Sequence, residues 1–238
     1  MKSAGATPAA DQNEEQAARW VRGMFGRIAP RYDFLNHLLS FNRDRAWRRH
    51  TVSRLRPVLD RPGARVLDLC CGTGDLALEL ASTTAWVAAS DFCHPMLTAA
   101  SAKGCPRLVE ADGLRLPLRD ASFDAVTVAF GFRNFANYRR GLAELRRVVK
   151  PGGTLAILEF TTPPHAVFRA GYQAYSRHVL PRLGGLLSGS REAYAYLPES
   201  VRKFPAAPEL AGEMRSAGFA HVDYEYLTFG VVALHLGA

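Results

Sequence analysis

Apolar residues recur along this chain with two different periods, and the change between them divides it. Over residues 14–28, Trp20, Val21, Met24, Phe25 and Ile28 fall on one side of a 3.6-residue spiral, which predicts an amphipathic helix. The stretch "IAPRYDFLNHLLSFN" breaks at Pro30 and resumes as a short apolar helix. "RDRAWRRHTVSRL" follows as a basic helix bearing Arg43, Arg45, Arg48, Arg49 and Arg54, with Pro57 and the turn at Asp60 to Gly63 as its end. From Arg65 short apolar runs alternate with helical ones. "RVLDL", "WVAAS", "PRLVEAD", "FDAVTVAF" and "TLAILEF" read as five strands, and the fourth is apolar enough for burial on both faces. The helices between them are "GDLALELAS", "PMLTAASAK" and "YRRGLAELRRVV", the last with Asn137 as its N-cap. This alternation predicts right-handed crossovers and a mostly parallel α/β sheet. After Phe160 the rhythm lapses for roughly forty-five residues, then returns as the helix "PELAGEMRSAGF". "HVDYEYLT" and "VVALHLG" are close enough to form only an antiparallel hairpin.

These segments imply one domain over 14–238, with a helical lid at 14–60 and a substrate-side insertion at 161–207. Residues 1–13 read as a disordered leader without the apolar core of a signal peptide. No apolar run suits a membrane span, so a cytoplasmic protein is expected. Cys70, Cys71, Cys93 and Cys105 show no metal-ligand spacing and read as buried thiols; no metal is expected. The net charge of +8 favours a polyanion, an anionic membrane surface or an acidic substrate.

Candidate chemistry gathers at the strand tips, which a parallel sheet brings to one edge. Gly72-Thr73-Gly74-Asp75-Leu76-Ala77 matches the dinucleotide pattern GxGxxG/A, with Asp91 at the distance of a ribose ligand. Yet Asp68, Asp75, Asp91 and Asp112 all cluster at that edge, where they would repel a pyrophosphate. They suit S-adenosylmethionine, whose sulfonium and ammonium are cationic. Asp91 could then accept from both ribose hydroxyls and Asp112 from the adenine amino group. Glycines at a tight turn also serve packing alone, and a strand-end aspartate can simply cap a helix.

"VLDLCCGTGD", "FDAVTVAFGFRNF" and "RVVKPGGTLAILEF", with "MFGRIAPRYDFLN" upstream and "YAYLPESVRKFP" downstream, resemble the ubiquinone/menaquinone biosynthesis C-methyltransferase family from Met24 to His235. "FGFRN" and "YLPESV" are the specific parts; the glycine motif is shared by all class I methyltransferases. The resemblance implies the seven-stranded class I sheet, ordered 3-2-1-4-5-7-6, and S-adenosylmethionine as methyl donor. It assigns Thr73 to the methionine end, Asp91 to the ribose, and Asp112 with Gly113 to the adenine; Asp68, Gly72 and Gly74 complete the expected cofactor set. Three positions depart from the family: Cys70 where glycine is frequent, Gly113 where alanine is common, and Ala129 where some members carry serine.

The implied substrate is a prenylated quinol, with demethylmenaquinol to menaquinol the preferred reaction and a ubiquinone-pathway benzoquinol the alternative. Arg133 and Asn134 are the expected catalytic pair. A fixed guanidinium charge would help ionise the ring hydroxyl beside the attacked carbon, and Asn134 would orient that hydroxyl or the loop. Arg133 could instead pair with a cofactor-site carboxylate or cap a loop. The proton would pass to water, Asp33 or His37. His37 and His50 could also face substrate, though a surface or packing role suits them too. The prenyl tail needs an apolar bed. Phe168, Tyr172, Tyr175 and Val179 recur at helical spacing, with Leu183, Leu186 and Leu187 beyond; they either pack on the sheet or line a groove. Peripheral association with an anionic membrane, at its inner face, is expected from a lipid product and a basic surface.

Three other readings compete. A nucleic-acid methyltransferase would explain the arginines, but no NPPY-like tetrad or Pro-Cys nucleophile is present, so no nucleic-acid partner is expected. A non-catalytic cofactor-binding scaffold would not need "FGFRN". A nicotinamide dehydrogenase conflicts with the acidic edge.

Overall fold

The computed structural model describes residues 5–6, 13–179 and 191–238, and of these no side chain is described at 177, 179, 191, 192 and 194. Three helices come first: α1 (Glu14–Ile28), α2 (Tyr32–Leu39) and α3 (Arg43–Leu59), with Pro30 in a 3-10 turn between α1 and α2. Asn13 and Gln16 cap α1 reciprocally, each side-chain oxygen accepting from the other's backbone N–H at 2.9 and 3.0 Å. α3 runs past Pro57 rather than stopping there. In the last turn the proline forfeits one N–H, while Val58 and Leu59 are still buried.

The sheet contains β1 (Arg65–Leu69), β2 (Trp86–Asp91), β3 (Leu108–Glu110), β4 (Phe123–Ala129), β5 (Val149–Phe160), β6 (Val222–Leu227) and β7 (Val232–Gly237). Their order is β3-β2-β1-β4-β5-β7-β6, as the resemblance implied. β7 pairs antiparallel with both β5 and β6; every other pairing is parallel. Strand residues alternate between two cores. Val66, Val87 and Ala125 pack under α3, α4 (Asp75–Ala81) and α5 (His94–Ala102). Leu67, Val126 and Val128 pack under α6 (Tyr138–Val148) and α9 (Ala207–Ser216). Asn137 caps α6 as expected, its side chain accepting from Arg140 N at 3.0 Å.

Two expectations change. Gly5 and Ala6 lie within the stretch read as a disordered leader, yet Ala6 is buried and its N–H donates to Phe135 O at 2.7 Å. The insertion contains α7 (Ala166–Ala174) and α8 (Arg191–Lys203). α7 buries none of its residues, so the Phe168–Tyr175 stripe does not pack on the sheet. Tyr172 and Tyr175 face a cavity and Phe168 faces outward. The Val179 side chain and Leu183, Leu186 and Leu187 lie outside the described residues. Among the described residues, no helix is long and apolar enough to cross a membrane.

Phe135 illustrates how tightly the strand-tip region is fitted. A methyl group built on Gly141 would overlap its ring, and one on Gly113 would come within 2.5 Å of it. The ring is held from two sides and cannot yield to either. Alanine at a helical glycine ordinarily gains about 1 kcal/mol. In Gly141→Ala the overlap is expected to win, for a net loss of about 1–3 kcal/mol. Thermal unfolding should show a melting point lower by several degrees; an unchanged or higher one would mean that Phe135 can move aside.

Candidate active site

The loop after β1 turns through three left-handed residues, Cys70 (φ 57°), Gly72 (φ 55°) and Gly74 (φ 87°). Gly74 must lack a side chain, because a Cβ would sit 3.1 Å from Cys105 and 3.3 Å from Ala100. Gly72 faces the cleft and donates its N–H to Asp91 Oδ2 at 2.9 Å. Asp91 Oδ1 accepts from Cys93 N, also at 2.9 Å. Burial pushes the Asp91 carboxyl up, and these backbone donors hold it back. Each Asp91 oxygen retains a lone pair for a further donor.

Of the four carboxylates expected at this edge, two border the cleft: Asp91 and Asp112, the latter with Gly113 and Leu114. Asp112 Oδ1 accepts from Leu114 N at 2.9 Å, which leaves Oδ2 for a ligand. Asp68 lies one residue before the strand end, and its side chain turns into the core instead. It is 1% exposed, accepts from Thr127 Oγ1 at 2.7 Å, and keeps Oδ2 buried without a partner. Burial pushes its carboxyl up to about 7. Asp75 turns outward to Lys103 at 2.6 Å and to Arg48 at 3.6 Å. Thr73 also turns away from the cleft: its hydroxyl donates to Asp33 of α2 and accepts from Lys103 at 3.2 Å. Asp33 pairs with Lys103 at 2.5 Å, so the lid is latched to the glycine loop.

The cleft is an apolar slot, with Phe92, Met96, Leu114 and Phe135 on its walls. Its free volume is only about 70 Å³, because Phe25 and Tyr32 from the lid close over it. Beside it lies a second cavity of about 460 Å³, lined by the lid, the β4 and β5 tips, Tyr172, Tyr175 and α8. Phe25, Tyr32 and Phe130 border both spaces. The two chambers therefore meet at one aromatic wall.

Arg133 and Asn134 form a 3-10 turn after β4 (Phe132–Asn134) and stand at this junction. Asn134 borders the slot and accepts from Tyr196 of α8 at 3.1 Å. Arg133 borders the larger cavity and is 6% exposed. Its guanidinium donates to Phe130 O at 2.5 Å and pairs with Glu159 at 2.7 Å. Glu159, itself 1% exposed, also accepts from Arg133 N at 3.2 Å and Phe160 N at 2.8 Å. The arginine is thus a clamped ion pair rather than a lone charge, and its Nε has no partner among the described residues. Sequence reasoning missed Glu159, although a lone acid in "TLAILEF" was a signal. It also missed Tyr32 and Tyr196, whose tyrosine identity gave none.

The suggested proton acceptors face elsewhere. Asp33 is engaged by Thr73 and Lys103, and His37 Nδ1 bonds Asp44 Oδ2 at 2.7 Å. His50 bonds Glu225 near the surface, at 2.9 Å. The carboxylate that lines the cavity is Asp44, which bonds Ser40 at 2.7 Å and pairs with Arg48. Burial raises the Asp44 carboxyl, but Ser40 and Arg48 together bring it below the usual range. His37, Asp44 and Asp75 approach one another closely enough for a metal, but Arg48 occupies the space with them. The cysteines are unpaired; Cys71, Cys93 and Cys105 are buried and Cys70 borders the slot.

The chain is 53% identical over 221 residues to a demethylmenaquinone methyltransferase of Thermus thermophilus, covering 90% of this chain and 99% of that protein. It is 47% identical over 244 residues to a demethylmenaquinone methyltransferase of Deinococcus radiodurans, covering 100% of this chain and 99% of the relative. A Thermotoga maritima structure described as a SAM-dependent methyltransferase, possible histamine N-methyltransferase, superposes with a TM-score of 0.65 over 90% of this chain and 98% of its own. At 19% identity it speaks for the fold alone. A family model matches residues 10–238, and the chain belongs to the ubiE/COQ5 methyltransferase family.

Proposed function

We propose that this protein methylates a ring carbon of a prenylated quinol at the expense of S-adenosylmethionine, and that demethylmenaquinol is the quinol it converts to menaquinol. The observation that carries this reading is the junction of two chambers. One is a narrow slot with carboxylates suited to a ribose and an adenine; the other is a large apolar cavity. The names of the relatives supply the particular quinol.

The slot fits the donor on its own chemistry. Asp91 and Asp112 offer acceptors along one side, and the apolar walls suit a purine. When bound there, the donor supplies an electrophilic methyl on a sulfonium. The protein's task is to place a nucleophilic carbon in line with it, which can account for much of the rate. Phe25, Tyr32 and Phe130 hold the ring between the chambers and exclude water. Arg133 offers N–H donors to a ring oxygen, and Glu159 keeps the guanidinium from swinging away. As that hydroxyl ionises, the donors stabilise the developing oxyanion, and the neighbouring ring carbon gains electron density. Asn134, fixed by Tyr196, orients the same edge.

Purified protein given S-adenosylmethionine and chemically reduced demethylmenaquinone with a short, water-dispersible tail is expected to yield menaquinone with the methyl on the ring. Mass spectrometry with a labelled methyl donor reads the outcome. Absence of label in the quinone would sink the proposal. The enzyme works at a membrane surface in this reading, because its substrate is a lipid.

A further inference from the structure

The cavity opens onto a rim of exposed aromatic residues. On α2, Phe34 and Leu38 stand one turn apart on the same face, and Phe41 follows just beyond the helix. They are 61%, 43% and 77% exposed, while Leu35 beneath them is fully buried. The helix is apolar on both sides. Across the mouth, Phe168 of α7 stacks on Phe229 of the β6–β7 turn, with ring centroids 4.4 Å apart. Tyr175 closes the ring of contacts, facing Phe41 at 6.4 Å and donating its hydroxyl to Leu39 O at 2.9 Å. Val167 beside Phe168 is 83% exposed.

Two of these aromatics sit in a backbone conformation that bulky side chains rarely adopt. Phe41 has φ 53° and Phe229 has φ 56°, and their neighbours Asn42 and Thr228 are also left-handed. Such conformations are costly and are retained mainly where they serve a function. Here they project large apolar side chains into solvent on either side of one opening. Trp47 anchors the second turn by donating to Thr228 Oγ1 at 2.9 Å. The charge beside this rim is positive. Arg43 lines the cavity, and Arg43, Arg45 and Arg49 are exposed at the start of α3 without a carboxylate partner among the described residues.

We infer that this rim docks on an anionic lipid bilayer, with Phe34, Phe168 and Phe229 entering the interface, so that the cavity mouth opens directly into the membrane. Aromatic side chains beside unpaired arginines match the chemistry of an interfacial contact, apolar body below and phosphate above. Phe41, Tyr175 and Thr228 line the cavity and adjoin the rim, so a prenyl tail can stay in the bilayer while its ring enters. A second copy of this chain, also basic, would set the same arginines against one another. The inference rests on the functional reading above and adds where the lipid enters.

The test uses the full chain with its three rim phenylalanines replaced by serine (F34S/F168S/F229S). None of the three lines the cavity. Flotation with vesicles of phosphatidylcholine and phosphatidylglycerol should recover the wild type, with partitioning of the variant reduced about 100-fold or more. Methylation of a short-tailed, water-dispersed quinol should change less than about twofold, whereas methylation of a long-tailed quinol embedded in vesicles should drop about tenfold or more. A second variant, Phe229→Trp, should bind vesicles and shift its added emission to the blue. A serine variant that floats like the wild type overturns the inference. So does a wild type that ignores vesicles but dimerises through the rim. Failure of the wild type to methylate even the dispersed quinol, with vesicle binding intact, would instead count against the functional reading.

Discussion

Arg133→Lys is expected to lower turnover about 100-fold at neutral pH, because one positioned donor set to a developing oxyanion is worth that order. S-adenosylmethionine should still bind within a few-fold, since Arg133 does not border the slot. The loss should shrink as pH rises, because the quinol hydroxyl then ionises unaided. Arg133→Ala removes more than chemistry. It strands Glu159, 1% exposed, without its cation, and a broken buried pair costs about 3–5 kcal/mol of stability. The two effects separate in the double variant R133M/E159Q, which restores a neutral, well-packed interior. Its melting point should recover while its turnover does not. If both recover, the arginine is structural and the electrostatic role is wrong. The pairing alters the physical account without removing it. A net charge at long range is largely cancelled by Glu159, so what the guanidinium offers the ring oxygen is directional N–H donation at close range.

Asp91→Ala is expected to weaken S-adenosylmethionine binding about 100-fold or more. Two charge-assisted bonds to the ribose, each worth about 1.5–3 kcal/mol, disappear together, and water restores part of them. The substitution also frees the backbone N–H groups of Gly72 and Cys93, so the slot loses one of its internal struts. Calorimetry on folded protein reads the affinity, and an unchanged dissociation constant would remove Asp91 from the ribose. Acid should act in the same direction. The ribose hydroxyls donate to the ionised carboxylate, and burial raises the Asp91 carboxyl above its ordinary value. Donor binding should therefore be full at neutral pH and fall as pH drops through that raised value, sooner than for an exposed aspartate.

The sheet was legible because each strand and helix carries its own period, and because parallel strands deliver their tips to one edge. The position of Asp91 and Asp112 beside the slot was legible for the same reason. Asp68 was misplaced. Both faces of β1 are covered up to its end, Asp68 and Leu69 each being 1% exposed, so nearness to the tip does not bring a side chain out to the edge. Thr73 was assigned to the cofactor because its loop is. Its partner Asp33 lies forty residues earlier, on a helix whose docking no local pattern encodes. The same distance hid Tyr32. Glu159 was the opposite case, visible as a lone acid in an apolar strand, and unread because the carboxylate alternative for Arg133 was sought among the cofactor-site aspartates.

The wall that Phe25, Tyr32 and Phe130 share also sets the order of events. If S-adenosylmethionine occupies the slot as proposed, its exchange is expected to require α1 and α2 to move and the Thr73–Asp33 contact to part. The same movement takes away one side of the quinol chamber. On that reading the nucleoside is expected to enter before the quinol and to leave after it. Each methylated lipid departs before the next donor arrives, and the demethylated thioether competes with fresh donor alone.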